Sequence, residues 1–427
     1  MNRITEQDLL LSGETARRLY HGCAETLPMA ELAAELSAEE LALNAPFSNI
    51  AQLLLPPHPD IHRLMVQCGA DRRNTAPDAA DYERFRAWCL CVPALIGHPI
   101  PLFQQMLLHR LFDCNLTLTV ENCDTIWTLT AEQLARTPLR PRDVLAAWQV
   151  KRLFLAEKPQ GDLTPYRGLA EASACDIRPL FCPDGLLGAN RPGFAAAIRA
   201  LSNTVGRAVT DLAALESALH TVLDRFAEAG CVCARHTLPR QFTFRRPDPY
   251  HAEQALLAAL RTDGRGVSTE QQTCFVAQMY RILGQEYRRR GWGMQLVLTE
   301  ENTAEYAALL NYLSAEDALP RTLILTENPP AGLSFPAAYA PGCGAPEDIR
   351  RGIAGFAAAY PMGYCRSLWG NAPAYLRFPE QDYLRRLLCT QMGAWLDSGL
   401  YPAARGKEAD LVAGILGRAD TFFTHTL

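Results

Sequence analysis

Apolar positions along the 427-residue chain follow two alternating periods. Short, mostly apolar runs at residues 29–36, 150–155, 177–182, 231–238, 294–299, 322–326, 333–339 and roughly 362–369 read as eight strands. Between the later runs, apolar residues recur at helical spacing over 194–201, 211–229, 269–290, 304–313 and 349–360. Strands alternating with helices predict parallel pairing through right-handed crossovers. Eight such units are what a (β/α)8 barrel needs, and that barrel takes about 250 residues.

The excess length is localised. Between residues 36 and 150 the pattern reads as helices at 50–55, 82–92, 102–112, 130–135 and 144–149, punctuated by Pro56-Pro57, Pro93 and Pro99. The fold class expected is therefore α/β, a (β/α)8 TIM barrel with a helical insertion after the first strand. Residues 1–36 supply an N-terminal helix, at 5–20, and the first strand; residues 37–149 form the insertion. Residues 150–427 complete the barrel and end in two closing helices at 382–395 and 408–422.

Composition narrows the function classes. Apolar residues make up 48% and charged residues 20%, which suits a packed core and disfavours disorder. A formal net charge of −5 leaves nothing to neutralise a polyphosphate backbone, so no nucleic-acid partner is expected. The basic run Arg288-Arg289-Arg290 precedes Gly291, where cations complement a helix C-terminus. No run approaches ~18 uninterrupted apolar residues, so no membrane span is expected. The N-terminal stretch is polar apart from Leu9-Leu10-Leu11, without a signal-peptide apolar region. The 14 cysteines include Cys89/Cys91 and Cys231/Cys233 with one residue between them but no pair with two residues between, and read as reduced thiols of a cytoplasmic protein.

Motifs alone identify no chemistry. Barrel enzymes carry their catalytic groups at the C-terminal strand ends, and the nine histidines form no alternating strand pair or cysteine–histidine cluster. His58 and His62 are four apart in a proline-rich turn and read as a surface pair. Gly264-Arg265-Gly266 lacks the third glycine and the preceding strand of a dinucleotide loop.

Residues around the strands nevertheless carry a resemblance. Leu10-Leu11, the run Ala16-Arg17-Arg18-Leu19-Tyr20-His21, Pro28-Met29, the run Ile96-Gly97-His98-Pro99 and His109-Arg110-Leu111-Phe112 begin it. Gly230-Cys231 with His236 and Leu238, Glu286-Tyr287 with Arg289 to Trp292 and Gln295, and the run from Tyr383 to Cys389 continue it in order. Together they resemble the uronate isomerases, sugar-acid isomerases of the amidohydrolase-like barrel group. The resemblance implies conversion of D-glucuronate to D-fructuronate and of D-galacturonate to D-tagaturonate.

The family's active residues are largely replaced. Its strand-one His-x-His metal pair falls at Ala33 and Glu35. Its Ser-Asp-His becomes Ala234-Arg235-His236, its fifth-strand histidine becomes Val297, and the arginine beyond falls at Asn302. The strand-eight aspartate and arginine fall at Asn371 and Pro373, or with an insertion at Tyr364 and Arg366; no aspartate occurs between Asp348 and Asp382. The insertion's Tyr-His-Trp-Thr-His motif is replaced by Leu102 to Gln105, and the tryptophans after strand seven are missing from Tyr339 to Gly342.

Aldose–ketose isomerisation moves a proton between C1 and C2 through an enediol, which alanine and valine cannot support. The resemblance therefore implies a catalytically degenerate member with no metal or other cofactor. Its partners would be a small sugar acid and further copies of the chain. The candidate ligand-binding residues at the barrel mouth are Glu35, Arg235, His236, Arg366 and Asn371. A divergent active isomerase using Glu35, Arg235, His236 and Arg366 is the alternative. Two plainer roles stand beside these: Glu35 facing Arg235 as a self-satisfied pair, and His236 as a hydrogen-bonded packing residue.

Overall fold

The computed structural model describes residues 8–76, 78–237, 242–299, 303–401 and 407–423. Among them, seven strands form one parallel sheet in sequential order: β1 (Met29–Ala34), β2 (Val150–Glu157), β3 (Asp176–Phe181), β4 (Cys233–Thr237), β5 (Gly293–Val297), β6 (Arg321–Thr326) and β7 (Ala337–Tyr339). The fold is α/β, as the alternating pattern predicts. From Ala34 to Val150 the chain is helical, with its longest helices at Asp81–Cys91, Pro99–Phe112 and Cys123–Arg136.

The eighth run departs from expectation. Met362–Tyr364 is a 3-10 turn, and residues 366–369 meet β7 only through Arg366 N to Ala337 O (2.9 Å), Tyr339 N to Ser367 O (3.1 Å) and Trp369 N to Tyr339 O (2.8 Å). Ser367 has φ 136°, outside the extended region, so a regular ladder stops there. Likewise β7 begins at Ala337 rather than 333, because Leu333 closes a turn onto Pro330 O and Pro336 has no N–H to donate. The first helix is Glu14–Gly22, beginning after Gly13 at φ 92°. Leu238, the end of the expected fourth run, and Asn302 lie outside the described residues.

Strand alternation sends every second side chain to the inner face of the sheet, the lumen side. Leu32, Ala33, Phe154, Leu180, Cys233, Leu323, Leu325, Ala338 and Trp369 pack there as a separate apolar cluster, with Phe423 of the C-terminal segment. A methyl group on Gly293 would lie 2.4 Å from the Phe423 ring, so glycine is what admits that ring beneath the N-terminal end of β5. The other strand faces join the main core against the helices.

Helix ends follow local chemistry. Ser268 and Gln271 form a reciprocal capping box at the start of Thr269–Arg289. That helix stops before Gly291 at φ 69°, and Arg290 pairs with Glu286 and Asp224. The basic run is thus a helix terminus, as its spacing predicts.

The Arg377–Asp397 helix is different in kind. Its charged residues Arg377, Glu380, Asp382, Arg385 and Arg386 are all buried. Arg386 Nε meets Asp382 Oδ2 at 2.8 Å, and Tyr20 Oη donates to Asp382 Oδ1 at 2.5 Å. Arg385 donates to the carbonyls of Ala24, Leu27 and Pro28 at 2.6–2.9 Å, fixing the chain immediately before β1. Among the described residues, no helix is long and apolar enough to cross a membrane.

Removing one partner of a buried ion pair leaves the other charge uncompensated. Asp382→Ala is therefore expected to lower unfolding stability by about 3–5 kcal/mol. In the same urea titration Asp348→Ala, which breaks an exposed pair with Arg351, should cost less than about 1 kcal/mol. Equal effects would contradict the anchoring role of this helix.

Candidate functional site

The C-terminal ends of β1, β3, β4 and β5 carry the polar groups nearest the lumen. On β4, alternation puts Cys233 and Arg235 inward and Ala234 and His236 outward. Arg235 pairs in register with Gln295 of β5. Gln295 is fully buried, and its Nε2 donates to Leu32 O at 2.9 Å, spanning the lumen from β5 to the non-adjacent β1. Glu31, also buried, accepts from Ala33 N at 3.1 Å and from Gln381 Nε2 at 3.0 Å. Its ring of partners explains how a carboxylate survives in an apolar strand.

Arg235 is the exception to this satisfaction. Among the described residues nothing lies within hydrogen-bond or ion-pair range of its guanidinium, although it is only partly open to solvent. Burial lowers its pKa; Glu31, Asp184 and Cys182 oppose that effect, while Arg377 adds to it. Asp184, just beyond β3, accepts from Thr237 N at 3.1 and 3.2 Å; burial raises its pKa to about 6, while Thr237, Arg235 and Arg191 hold it down. Across the mouth, Glu380 accepts from Asn371 N (3.0 Å) and Ala372 N (2.7 Å) and lies 3.5 Å from Arg377. Gly370 makes room for it, since a Cβ there would fall 1.9 Å from the carboxyl carbon.

The sequence candidates are distributed unevenly over this arrangement. Arg235 points into the lumen. His236 lies on the outer face of β4, fully buried, with ring centroids 5.0 and 5.7 Å from Tyr280 and Tyr287 and Nε2 2.9 Å from Tyr287 Oη. Glu35 is exposed, and its ion-pair partner is His58 at 3.8 Å. The pairing of Glu35 with Arg235 is thus replaced: the chain leaves β1 at Ala34, and Glu31 is the strand-one carboxylate acting on Arg235. Arg366 is half-buried and acts on Tyr360 and Cys365. The Asn371 side chain is exposed, and its backbone N–H meets Glu380. The site therefore gathers Arg235 but not Glu35, His236 and Arg366 around it.

Glu31, Asp184, Gln295, Arg377, Glu380 and Trp369 were missed. A carboxylate in the apolar run 29–36 and an aspartate two residues past the third run were the available signals for the first two. His58 instead caps the Pro59–Gln67 helix through Nδ1, and His62 meets Thr75 O at 3.1 Å. Ala33 puts a methyl group in the lumen cluster, and Val297 packs against it. Among the described residues, no group of three or more His, Cys, Asp or Glu is placed to hold a metal ion.

The family model for glucuronate isomerase matches residues 1–303. The chain belongs to the glucuronate isomerase family. It is 26% identical to the uronate isomerase of Lachnospira eligens over 97% of each chain, and 26% identical to that of Serratia proteamaculans over 94% of each. In fold it resembles the solved uronate isomerase of Thermotoga maritima, with a TM-score of 0.87 at 19% identity over 99% of this chain and 100% of the other. The Caulobacter crescentus glucuronate isomerase gives 0.82 at 17%, over 99% and 98%. Within the glucuronate isomerase family, then, this chain keeps the family's fold, with Arg235 on the inner face of β4.

Burial lowers the His236 pKa to about 3. An unfolded histidine takes up its proton near pH 6.5, so between these values the unfolded state binds more protons and stability falls as pH falls. Asp184 works oppositely over its own window, from the ordinary carboxylate range up to about 6. The non-titrating variant His236→Gln isolates the histidine. Its stability relative to wild type should improve by about 1.4 kcal/mol per pH unit as pH drops from 6 toward 4. A pH-independent difference between the two proteins would contradict a buried neutral imidazole.

Proposed function

We propose that this chain is a catalytically degenerate uronate isomerase family protein that binds a small sugar acid without a metal cofactor and without turning it over. The carrying observation is Ala33, where the family pattern calls for a strand-one metal histidine: a methyl group in the lumen cluster supplies no ligand. The exposed Glu35, paired with His58, and the outward-facing His236 support the same reading. We take residues 366–369 as the eighth stave of a (β/α)8 barrel and residues 37–149 as its helical insertion. We assign the protein to the cytoplasm; its 14 cysteines, all within the described residues, are free thiols, which suits a reducing compartment.

A second reading has one specific support. Asp184, with a pKa near 6 beside Arg235, is suited to proton transfer at neutral pH, as a divergent isomerase would need. Its two oxygens are committed to Thr237 N, which favours the first reading.

The test is turnover. D-glucuronate or D-galacturonate is incubated with the purified chain, with and without added zinc or manganese, and ketose formation is followed by proton NMR. No product is expected, because losing several members of a catalytic unit removes function nearly as completely as losing all of them. Turnover at about 1 per second or faster, abolished by Asp184→Asn, would overturn the proposal in favour of the second reading. Elemental analysis should likewise find well under one metal per chain; a full equivalent lost on Glu31→Gln would contradict the metal-free site.

A further inference from the structure

Among the described residues, several polar atoms of the lumen have no partner, as do some buried atoms elsewhere, such as Trp148 Nε1 and Tyr280 Oη. Gln295 is fully buried and its Oε1 has no partner; Trp369, 4% exposed, has an unpartnered Nε1–H. Arg377, 6% exposed, leaves Nε without a partner. Arg235 adds a guanidinium with five donors and no acceptor in range among the described residues. Gln295 and Arg235 are register neighbours on β4 and β5, Trp369 belongs to the lumen cluster, and Arg377 bears electrostatically on Arg235. Buried donors and acceptors are nearly always paired. Unpaired groups converging on one lumen therefore define what would complete it: an oxyanion for the guanidinium and indole N–H, and a hydroxyl donor for the Gln295 oxygen.

The surrounding carboxylates limit the ligand's charge. Glu31 and Glu380 are held by backbone and side-chain donors, and Glu31 and Asp184 bear electrostatically on Arg235. One guanidinium without a direct partner among the described residues, acted on by Glu31 and Asp184, accommodates one negative charge and repels a second. Arg235 also departs from the aspartate that the family resemblance assigns to this position. A fixed organic cation then stands at a mouth where the resemblance calls for a metal ion.

We infer that the lumen is a monocarboxylate site, in which Arg235 and the Trp369 N–H hold the carboxylate of a polyhydroxy acid and Gln295 Oε1 accepts from one of its hydroxyls. The inference rests on the sugar-acid reading and names the anchor and the charge state. Arg235 is fork-shaped and matches a carboxylate bidentately, as lysine does not. Its half-buried charge, without a direct partner among the described residues, is a stability cost that a bound carboxylate would offset.

The experiment is calorimetric titration of the full, EDTA-treated chain with D-gluconate, D-glucuronate, D-glucarate and D-glucose. Expected are one-to-one binding of both monocarboxylates, at least tenfold weaker binding of the dicarboxylate, and no binding of the neutral sugar. Arg235→Met should abolish monocarboxylate binding while its melting temperature stays the same or rises, since a half-buried cation without a direct partner has been removed. Trp369→Phe, which keeps the ring and deletes the N–H, should weaken binding by about tenfold. Gluconate binding that is unchanged in Arg235→Met, glucarate binding as tight as gluconate, or a large fall in the melting temperature of Arg235→Met would each overturn the assignment. Unchanged binding in that variant would leave the sugar-acid reading standing, whereas failure of every sugar acid to bind the wild type would sink both. Turnover of a bound uronate would sink the non-catalytic reading alone.

Discussion

Everything at the mouth depends on one buried, charged helix face. Along Arg377–Asp397, Arg385 gathers three carbonyls from the segment before β1, and Asp382 holds Arg386 and Tyr20 together. The first turn of the same helix carries Glu380 and Gln381, which fix the loop after residue 369 and the Glu31 carboxylate. A helix from the far end of the chain thereby sets the position of the first strand and the polarity of the lumen. Burying so many charges is costly unless each is satisfied. Here, among the described residues, the buried side-chain atom of this helix left without a partner is Arg377 Nε.

A structural polar cluster completes itself, as Asp382, Arg386 and Tyr20 do. A binding site leaves its last partners to the ligand, as Arg235, Trp369 and Gln295 do. His236 and Arg235, neighbours on one strand, differ in the side of the sheet they face, although His236 Nδ1 also lacks a partner among the described residues. The histidine is wedged against Tyr280 and Tyr287 behind the sheet, and burial keeps it neutral. The arginine points into the lumen and remains charged without a partner.

The architecture was legible because it rests on periodicity. Runs such as 153–155 and 322–326 are largely apolar on both faces, as buried parallel strands must be, and the gap after residue 36 isolated the helical segment. The eighth run was misread as a regular strand because apolar content does not reveal the Ser367 backbone angle or the turn at Met362–Tyr364. Site residues were less legible. Arg235 stood out by contrast with the family pattern, and the inward or outward direction of its neighbour follows from alternation alone. Glu31, Asp184 and Glu380 were not found, because nothing local announces that strands and a helix hundreds of residues apart will bring their carboxylates together.

The central claim is that a guanidinium, rather than a metal ion, organises this mouth. A crystal structure of the full chain grown with both zinc and D-gluconate, with data collected across the zinc absorption edge, tests it most directly. The account predicts carboxylate density within about 3 Å of the Arg235 guanidinium nitrogens and no anomalous peak in the lumen. An anomalous zinc peak beside Glu31 or Asp184, with the ligand bound to the metal and Arg235 turned away, would contradict it.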